Sequence, residues 1–427
     1  MSKIIKSSQH TTKFANIGKR DINKDFLIEY DRVVWWFVDY LWNNTIHWKN
    51  GTLDIKNNKF DTPDFISTTN LSLVTELSAR AVKIASGEAI AIIKSQTEKR
   101  RKQLFVLAKK MRDGDKSIGK LQSKIDSNPV IKPTKTGKNL IANLNSNCCQ
   151  FIPDISGEFD GWLRIHAIGK RYGHIYMPIK FTRHSKNLAK KGYTLMSSWK
   201  ILNGVVYSTW QMEKPKSIGT RIIGADQGYV TCLSLSDGQV TGKDNHGHDL
   251  YSIIDTMSRR KKGSNGFKRA QEQRKNYINW SINQLDLTDI KELRLERLFQ
   301  MRKGTNMGNK LGHWTYTEIN TQIISRCDEL GVPVKEQSAT YRSQRCSDCG
   351  WTQKSNRKGK EFICKQCGSI HDADINGALN HEADIYQLPV GFWQTNPNRK
   401  GFYWTIAGIY DISGFDLSGG AFIVPYV

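Results

Sequence analysis

Residues 340–380 read TYRSQRCSDCGWTQKSNRKGKEFICKQCGSIHDADINGALN. Within them Cys346-x-x-Cys349 and Cys364-x-x-Cys367 are separated by fourteen residues, and a glycine follows each pair directly (Gly350, Gly368). Two such knuckles present four thiolates at the tetrahedral spacing zinc prefers, which predicts one structural zinc ion in a ribbon. Four thiolates fill that coordination sphere. Catalysis must therefore be sought in the neighbouring acids, Asp372 and Asp374, with partners elsewhere in the chain.

The 427 residues are enough for two or three domains. A balance of 64 Lys and Arg against 40 Asp and Glu leaves a formal charge of +24, which points to a polyanionic partner. No stretch reaches the roughly 18 apolar residues of a spanning helix, so a membrane role is not expected. The most apolar run, residues 33–42, is broken by Asp39. The N-terminal residues lack the apolar core of a signal peptide. Four of the eight cysteines belong to the ribbon, and Cys148, Cys149, Cys232 and Cys327 lie unpatterned. That usage suits a reducing interior, cytoplasm or nucleoid.

Residues 3–15 are expected to give one strand. A helix follows from an N-cap at residues 21–23 through about Trp42, with Trp35, Trp36, Tyr40 and Trp42 on a wide aromatic face. A second helix is expected from Leu71, on the spacing of Val74, Leu77, Ala81, Ile84 and Ala85, running into the basic residues Lys99, Arg100, Arg101 and Lys102. Residues 111–140 read as a flexible basic boundary. Between Cys149 and Glu213 come short β-rich runs, with Asn203-Gly204 as a two-residue hairpin turn. They predict a small, barrel-like β domain.

Three carboxylates stand out beyond the ribbon. Asp226 ends an apolar run in GADQG, where Gly228 leaves room for a phosphate to approach. In residues 290–298, IKELRLERL, alternation sets Leu293 and Leu295 on one face and Arg294 and Glu296 on the other. Glu292 shares the Glu296 face and is its rival, but ligands gather outside the carboxyl ends of strands, which favours Glu296. The third comes from HDADINGALN, where Asp374 and Ala378 share a helical face and small residues permit close approach to a sheet. Converging carboxylates raise one another's pKa unless cations separate them. Oxygen ligands of this kind suit two magnesium ions, or manganese, and hydrolysis of a nucleic-acid backbone.

The order GADQG, LERL, YRSQRCSDCG, CKQCG and DADINGALN resembles the RuvC-type nuclease core of the transposon-encoded TnpB proteins and the compact type V CRISPR effectors. The resemblance covers roughly residues 220–381. It implies an α/β multidomain protein with an RNase H-like (RuvC) core and an inserted zinc ribbon, plus a wedge-like β domain and a helical recognition domain. On that basis residues 1–20 and 145–219 form the wedge, 21–144 the recognition domain with a basic linker, 220–339 and 369–385 the nuclease core, and 340–368 the ribbon. It further implies catalytic Asp226, Glu296 and Asp374, since the family's metal-binding acid lies two places before the asparagine. Cys346, Cys349, Cys364 and Cys367 match the zinc ligands. The implied activity is RNA-guided cutting of double-stranded DNA, selected by guide pairing and a short flanking motif. The implied partners are guide RNA and target DNA, in a prokaryotic or mobile-element setting, with monomer and dimer both open. Arg100 and Arg101, together with Arg259, Arg260, Lys261, Lys262, Lys268, Arg269, Arg274 and Lys275, are the expected nucleic-acid contacts.

Two substitutions, Gln227 within GADQG and Arg297 after Glu296, depart from the pattern without removing a carboxylate. Residues 386–427 extend beyond a minimal member. Packing on the core, a second subunit and nucleic acid are the open readings for them. The rival functions are an RNA-guided DNA-binding repressor with a silent nuclease and a transposase or resolvase on the same fold.

Overall fold

The computed structural model describes residues 2–45, 48–49, 52–53, 73–114, 117–128, 130–135, 137, 140–155, 157–169, 173–298, 312–389 and 391–417. It divides into two compact units, Ile5–Met212 and Glu213–Val427 with Met1–Ile4. Among the described residues no helix is long and apolar enough to cross a membrane.

The first unit runs β1 (Lys3–Thr11), α1 (Ile17–Tyr40), α2 (Ala79–Arg112), α3 (Ile118–Asp126), β2 (Ile141–Leu144), β3 (Cys149–Pro153), β4 (Gly161–Ile165), β5 (Ile175–Ile179), α4 (Arg183–Lys190), β6 (Thr194–Leu202) and β7 (Val205–Glu213). Its sheets are ordered β1-β7-β6-β2 and β3-β4-β5. Helices and sheets share one core, in which Phe26, Tyr30 and Phe37 of α1 meet Ala85 and Ile93 of α2 and Trp199 and Ile201 of β6. The Asn203-Gly204 turn joins β6 to β7, with Gly204 at φ 80°.

Several boundaries differ from the sequence expectation for local reasons. Helix α1 starts at least five residues early because the Asn16 side chain accepts from the Lys19 N–H. Helix α2 begins at Ala79, where Ser78 supplies the cap; Val74 is exposed, and Leu71 lies outside the described residues. The expected flexible boundary contains α3, whose Ile118, Leu121 and Ile125 recur at helical spacing, with Ile125 buried. The eight-residue α4 was not expected at all.

The second unit is built on a sheet ordered β9-β8-β10-β11, with β8 (Arg221–Gln227), β9 (Leu233–Leu235), β10 (Ile290–Arg297) and β11 (Val334–Ser338). Strands β8, β10 and β11 are parallel and β9 is antiparallel to β8. Helices α5 (Leu250–Ser258) and α6 (Asn265–Asn283) carry the chain from β9 to β10, and α7 (Tyr316–Leu330) carries it from β10 to β11. Alternation decides the faces. Ile223, Ala225, Leu293 and Leu295 join the apolar cluster of α5–α7, including Ile253, Ile278 and Ile319. Gly224, Asp226, Arg294 and Glu296 point the other way.

That other face receives α8 (Ala373–Glu382). Before it come β12 (Trp351–Thr352), β13 (Arg357–Lys358), β14 (Glu361–Ile363) and β15 (Ile370–Asp372), and after it β16 (Phe402–Trp404) and β17 (Ile409–Tyr410). Strand β16 pairs with β12, so the C-terminal extension adds a hairpin to the cysteine-bearing segment. Residues 418–427 of that extension lie outside the described residues.

At Gly224 a methyl group would stand 1.9 Å from the Ala378 carbonyl and 2.3 Å from the Glu382 nitrogen, both backbone atoms that cannot give way. Gly87 in α2 has open space there. Gly224→Ala is therefore expected to lower stability by about 1–3 kcal/mol. Gly87→Ala should raise it by roughly 0.5–1 kcal/mol. Urea unfolding of the full chain distinguishes the two signs.

Candidate active site and metal centres

Asp226 and Glu296 stand at the carboxyl ends of neighbouring parallel strands, one residue past the Ala225–Leu295 pair. Glu292, the rival to Glu296, lies lower on β10 and is bonded to Arg294 at 2.8 Å. Asp372 is the N-cap of α8, its Oδ1 accepting from the backbone N–H groups of Asp374 at 2.9 Å and Ile375 at 3.2 Å. Its carboxylate is thereby committed to the helix start, and Asp374 in the first turn faces the sheet.

The three acids do not meet on equal terms. Ligand atoms of Asp226, Glu296 and His381 all lie within 4.8 Å of one another. Asp374 is outside that close set. Its two oxygens are taken by cations of the β13–β14 hairpin, Arg357 at 3.0 Å and Lys360 at 3.2 Å. Asp374 is still near enough to act on its neighbours. Burial lifts the Asp226 carboxyl well above the ordinary aspartate range, and the charges of Glu296 and Asp374 lift it further against the pull of Arg357. Burial also pushes Glu296 up to about 7, opposed by the Gln227 backbone N–H and Arg357 and assisted by Asp374. Such a cluster is stable as carboxylates only with added positive charge.

His381 was not singled out in the sequence. It lies in the last turn of α8, 1% exposed, and desolvation together with Arg342 pushes it down to about 3. The available signal was its spacing: seven residues, two helical turns, place it on the Asp374 face. Gln227, noted as a departure, ties the strand ends together by donating to the Glu296 carbonyl at 3.2 Å and the Asn320 side chain at 2.6 Å.

The four cysteine sulfurs also lie within 4.8 Å of one another, with Cys346–Cys367 at 3.7 Å and Cys349–Cys364 at 3.6 Å. Zinc–sulfur bonds near 2.3 Å in a tetrahedron require sulfurs about 3.8 Å apart, so the donor set fits zinc. Gly350 and Gly368 turn the knuckles at φ 80° and 77°. Asn376 and Asn380 fasten α8 to this segment: both donate to the Arg345 carbonyl, at 2.8 and 2.7 Å. Arg345 in turn reaches the Trp404 carbonyl at 2.7 Å and Asn380 Oδ1 at 2.5 Å.

The expected nucleic-acid contacts divide. Arg259, Arg260, Lys261, Lys262, Lys268, Arg269 and Lys275 are exposed on and around α5 and α6, and Arg101 is exposed on α2 beside Glu98. Arg100 and Arg274 are corrections. Both are 8% exposed; Arg100 donates to the Asn128 carbonyl and Arg274 to the His313 carbonyl at 2.5 Å. Helical periodicity contained this outcome, since Arg274 falls in step with the buried Phe267, Ala270, Tyr277 and Ile278. The side chain of Lys99 lies outside the described residues.

Comparison with known proteins bears on the segment that carries α7, the cysteines and α8. Residues 316–381 match the Cas12f1-like TNB domain family. A CRISPR-associated endodeoxyribonuclease Cas12f1 of Sulfoacidibacillus thermotolerans is 41% identical over 71 residues. This segment is similar to the corresponding part of the TnpB and compact type V proteins. A TnpB-like protein of Aquifex aeolicus (strain VF5) is 29% identical over 84 residues, 18% of this chain and 28% of that protein. The Cas12f1 match covers 16% of this chain and 17% of the relative, so the chain spans under a third of the length of either. A cryo-EM structure of a Cas12f1-sgRNA-target DNA complex covers 89% of this chain and 99% of its own at 16% identity, with a TM-score of 0.44.

Because the folded protein holds the Glu296 proton more tightly than the unfolded chain, metal-free stability is fully present below the ordinary glutamate value of 4.5 and lost as pH rises through about 7. The loss is of the order of 3 kcal/mol. Urea unfolding from pH 5 to 8, in divalent-free buffer without chelator so that the thiolates are left alone, should show this slope in the wild type. Glu296→Gln should reduce it, leaving the part that belongs to Asp226, and added magnesium should flatten it.

Proposed function

We propose that the chain is an RNA-guided endonuclease that hydrolyses double-stranded DNA at an RNase H-like (RuvC) site. The observation that carries this reading is the convergence of Asp226 and Glu296 at adjacent strand ends with Asp374 facing them from the first turn of α8, a buried cluster whose charges oppose one another. In this reading residues 220–339 and 369–385 are the nuclease core and 340–368 the zinc ribbon. Residues 1–20 and 145–219 are the wedge domain, and 21–144 the recognition domain. Within residues 386–427, the hairpin of Phe402–Trp404 and Ile409–Tyr410 extends the ribbon.

Asp226, Glu296 and Asp374 would hold two magnesium ions, manganese being the alternative, and the four cysteines one zinc. Bound magnesium ions supply an activated water and stabilise the leaving oxygen of a phosphodiester. The chain's own part is to fix the acids on two strands and a helix, exclude bulk water from Asp226, and keep positive charge close by. Arg357 and Lys360 have that last role: the charge that pairs with Asp374 in the metal-free protein also suits a scissile phosphate. The exposed cations Arg101, Arg259, Arg260, Lys261, Lys262, Lys268, Arg269 and Lys275 suit phosphate backbones, which make up the guide and target. Arg100 and Arg274 leave that set.

Protein purified from its native locus should carry a discrete RNA and, with magnesium, cut guide-matched duplex within a library of randomised flanking sequence. Absence of RNA would favour a resolvase; RNA with binding and no cutting would favour a repressor. Asp374→Ala should reduce cutting by at least about a hundredfold while leaving RNA and target binding near wild type.

Cys364→Ser should lower the zinc content measured by elemental analysis and loosen residues 340–382, because zinc binding is coupled to local folding. A variant that keeps both zinc and nuclease activity would remove the ribbon from the account.

A further inference from the structure

One buried group faces the acids without a part in the reading above. The Nε2 of His381 is 3.9 Å from Asp226 Oδ1, too far for a hydrogen bond. Its Nδ1 is buried with no hydrogen-bond partner among the described residues. A leucine would fill the same space without leaving a polar nitrogen unsatisfied, so packing alone does not account for the imidazole. The distance does suit another role. Metal–donor bonds near 2.1 Å set neighbouring ligands of one ion about 3–4 Å apart. His381, Asp226 and Glu296 have their ligand atoms within 4.8 Å of one another.

We propose that His381 Nε2 is a metal ligand beside Asp226 and Glu296, giving the site a mixed oxygen and nitrogen donor set. Magnesium favours oxygen donors throughout, whereas imidazole suits first-row transition ions. The site is thereby biased toward manganese(II) over magnesium. This rests on reading the acids as a metal site, and it adds a ligand from α8 that stays available while Asp374 is paired with Arg357 and Lys360. Two ligands come from the sheet and one from the helix, so ion binding also ties α8 to β8 and β10.

The test uses the full-length protein with zinc in its ribbon, which is silent in electron paramagnetic resonance, titrated with manganese(II). Pulsed spectra of the wild type should show coupling of the bound ion to an imidazole nitrogen. His381→Leu should remove that coupling and weaken manganese binding by at least about tenfold, with a smaller change for magnesium measured by competition. Asp226→Asn should remove the bound ion's signal in both backgrounds. Manganese bound in an Asp226-dependent way without nitrogen coupling overturns the ligand role of His381 and leaves the acidic site standing. Failure of any Asp226-dependent manganese binding overturns the metal site itself. The wild-type spectrum decides the point even if the leucine variant does not fold.

Discussion

The approach of α8 to β8 is the contact on which the rest of the second unit depends. Gly224 removes the side chain that would strike the Ala378 carbonyl. On the helix side a methyl group at Gly377 would lie 3.0 Å from the Asp226 carboxyl carbon, so glycine there keeps the acid uncrowded. With two glycines in the contact the helix rides directly over the strand, and Asp374 and His381 are brought to the level of Asp226. A larger residue at either place would lift the helix and open the carboxylate cluster to water. The short distance and the raised Asp226 and Glu296 pKa values are one fact seen from packing and from electrostatics.

The acids and asparagines of DADINGALNH then divide the work of placing the helix. Asp372 caps the helix, Asp374 meets the hairpin cations, and Asn376 and Asn380 grip the Arg345 carbonyl. Arg345 also bonds the Trp404 carbonyl, which brings the C-terminal extension into the same arrangement. Phe392, Phe402, Trp404 and Ile409 form a small core with Tyr341 and Leu388 packed against it. The extension is therefore a brace on the cysteine-bearing segment. The four sulfurs fix two knuckles, the asparagines fix the knuckles to α8, and the hairpin between them carries Arg357 and Lys360 to Asp374.

Legibility followed the range of the interaction that decides each feature. The strands presenting Asp226 and Glu296 could be read because period-two alternation is local, and the knuckles because cysteine spacing is local. The brace could not: Trp351–Thr352 pairs with Phe402–Trp404 across about fifty residues, and neither partner announces the other. His381 escaped notice because a single histidine near a helix end has no pattern of its own. Arg274 was misjudged for another reason. Its charge suggests a phosphate contact, but its phase sets it among Phe267, Ala270 and Tyr277, where the His313 carbonyl and Glu318 receive it.

The pairing of Asp374 links these observations. A carboxylate held by two cations is electrostatically satisfied without a divalent ion, whereas Asp226 and Glu296, buried side by side, are not. The metal-free site is thus asymmetric: Asp374 is neutralised by side chains of the cysteine-bearing segment, whereas burial raises the proton affinity of Asp226 and Glu296. On the proposed reading, an incoming ion would compete with protons for Asp226 and Glu296 and with Arg357 and Lys360 for Asp374, and the second competition depends on how firmly the β13–β14 hairpin is held. That hairpin is held by the knuckles, the knuckles by the asparagines and Arg345, and Arg345 by the C-terminal brace. Changes far from the acids, at the sulfurs or at Trp404, therefore act on the site through the position of two side chains, Arg357 and Lys360.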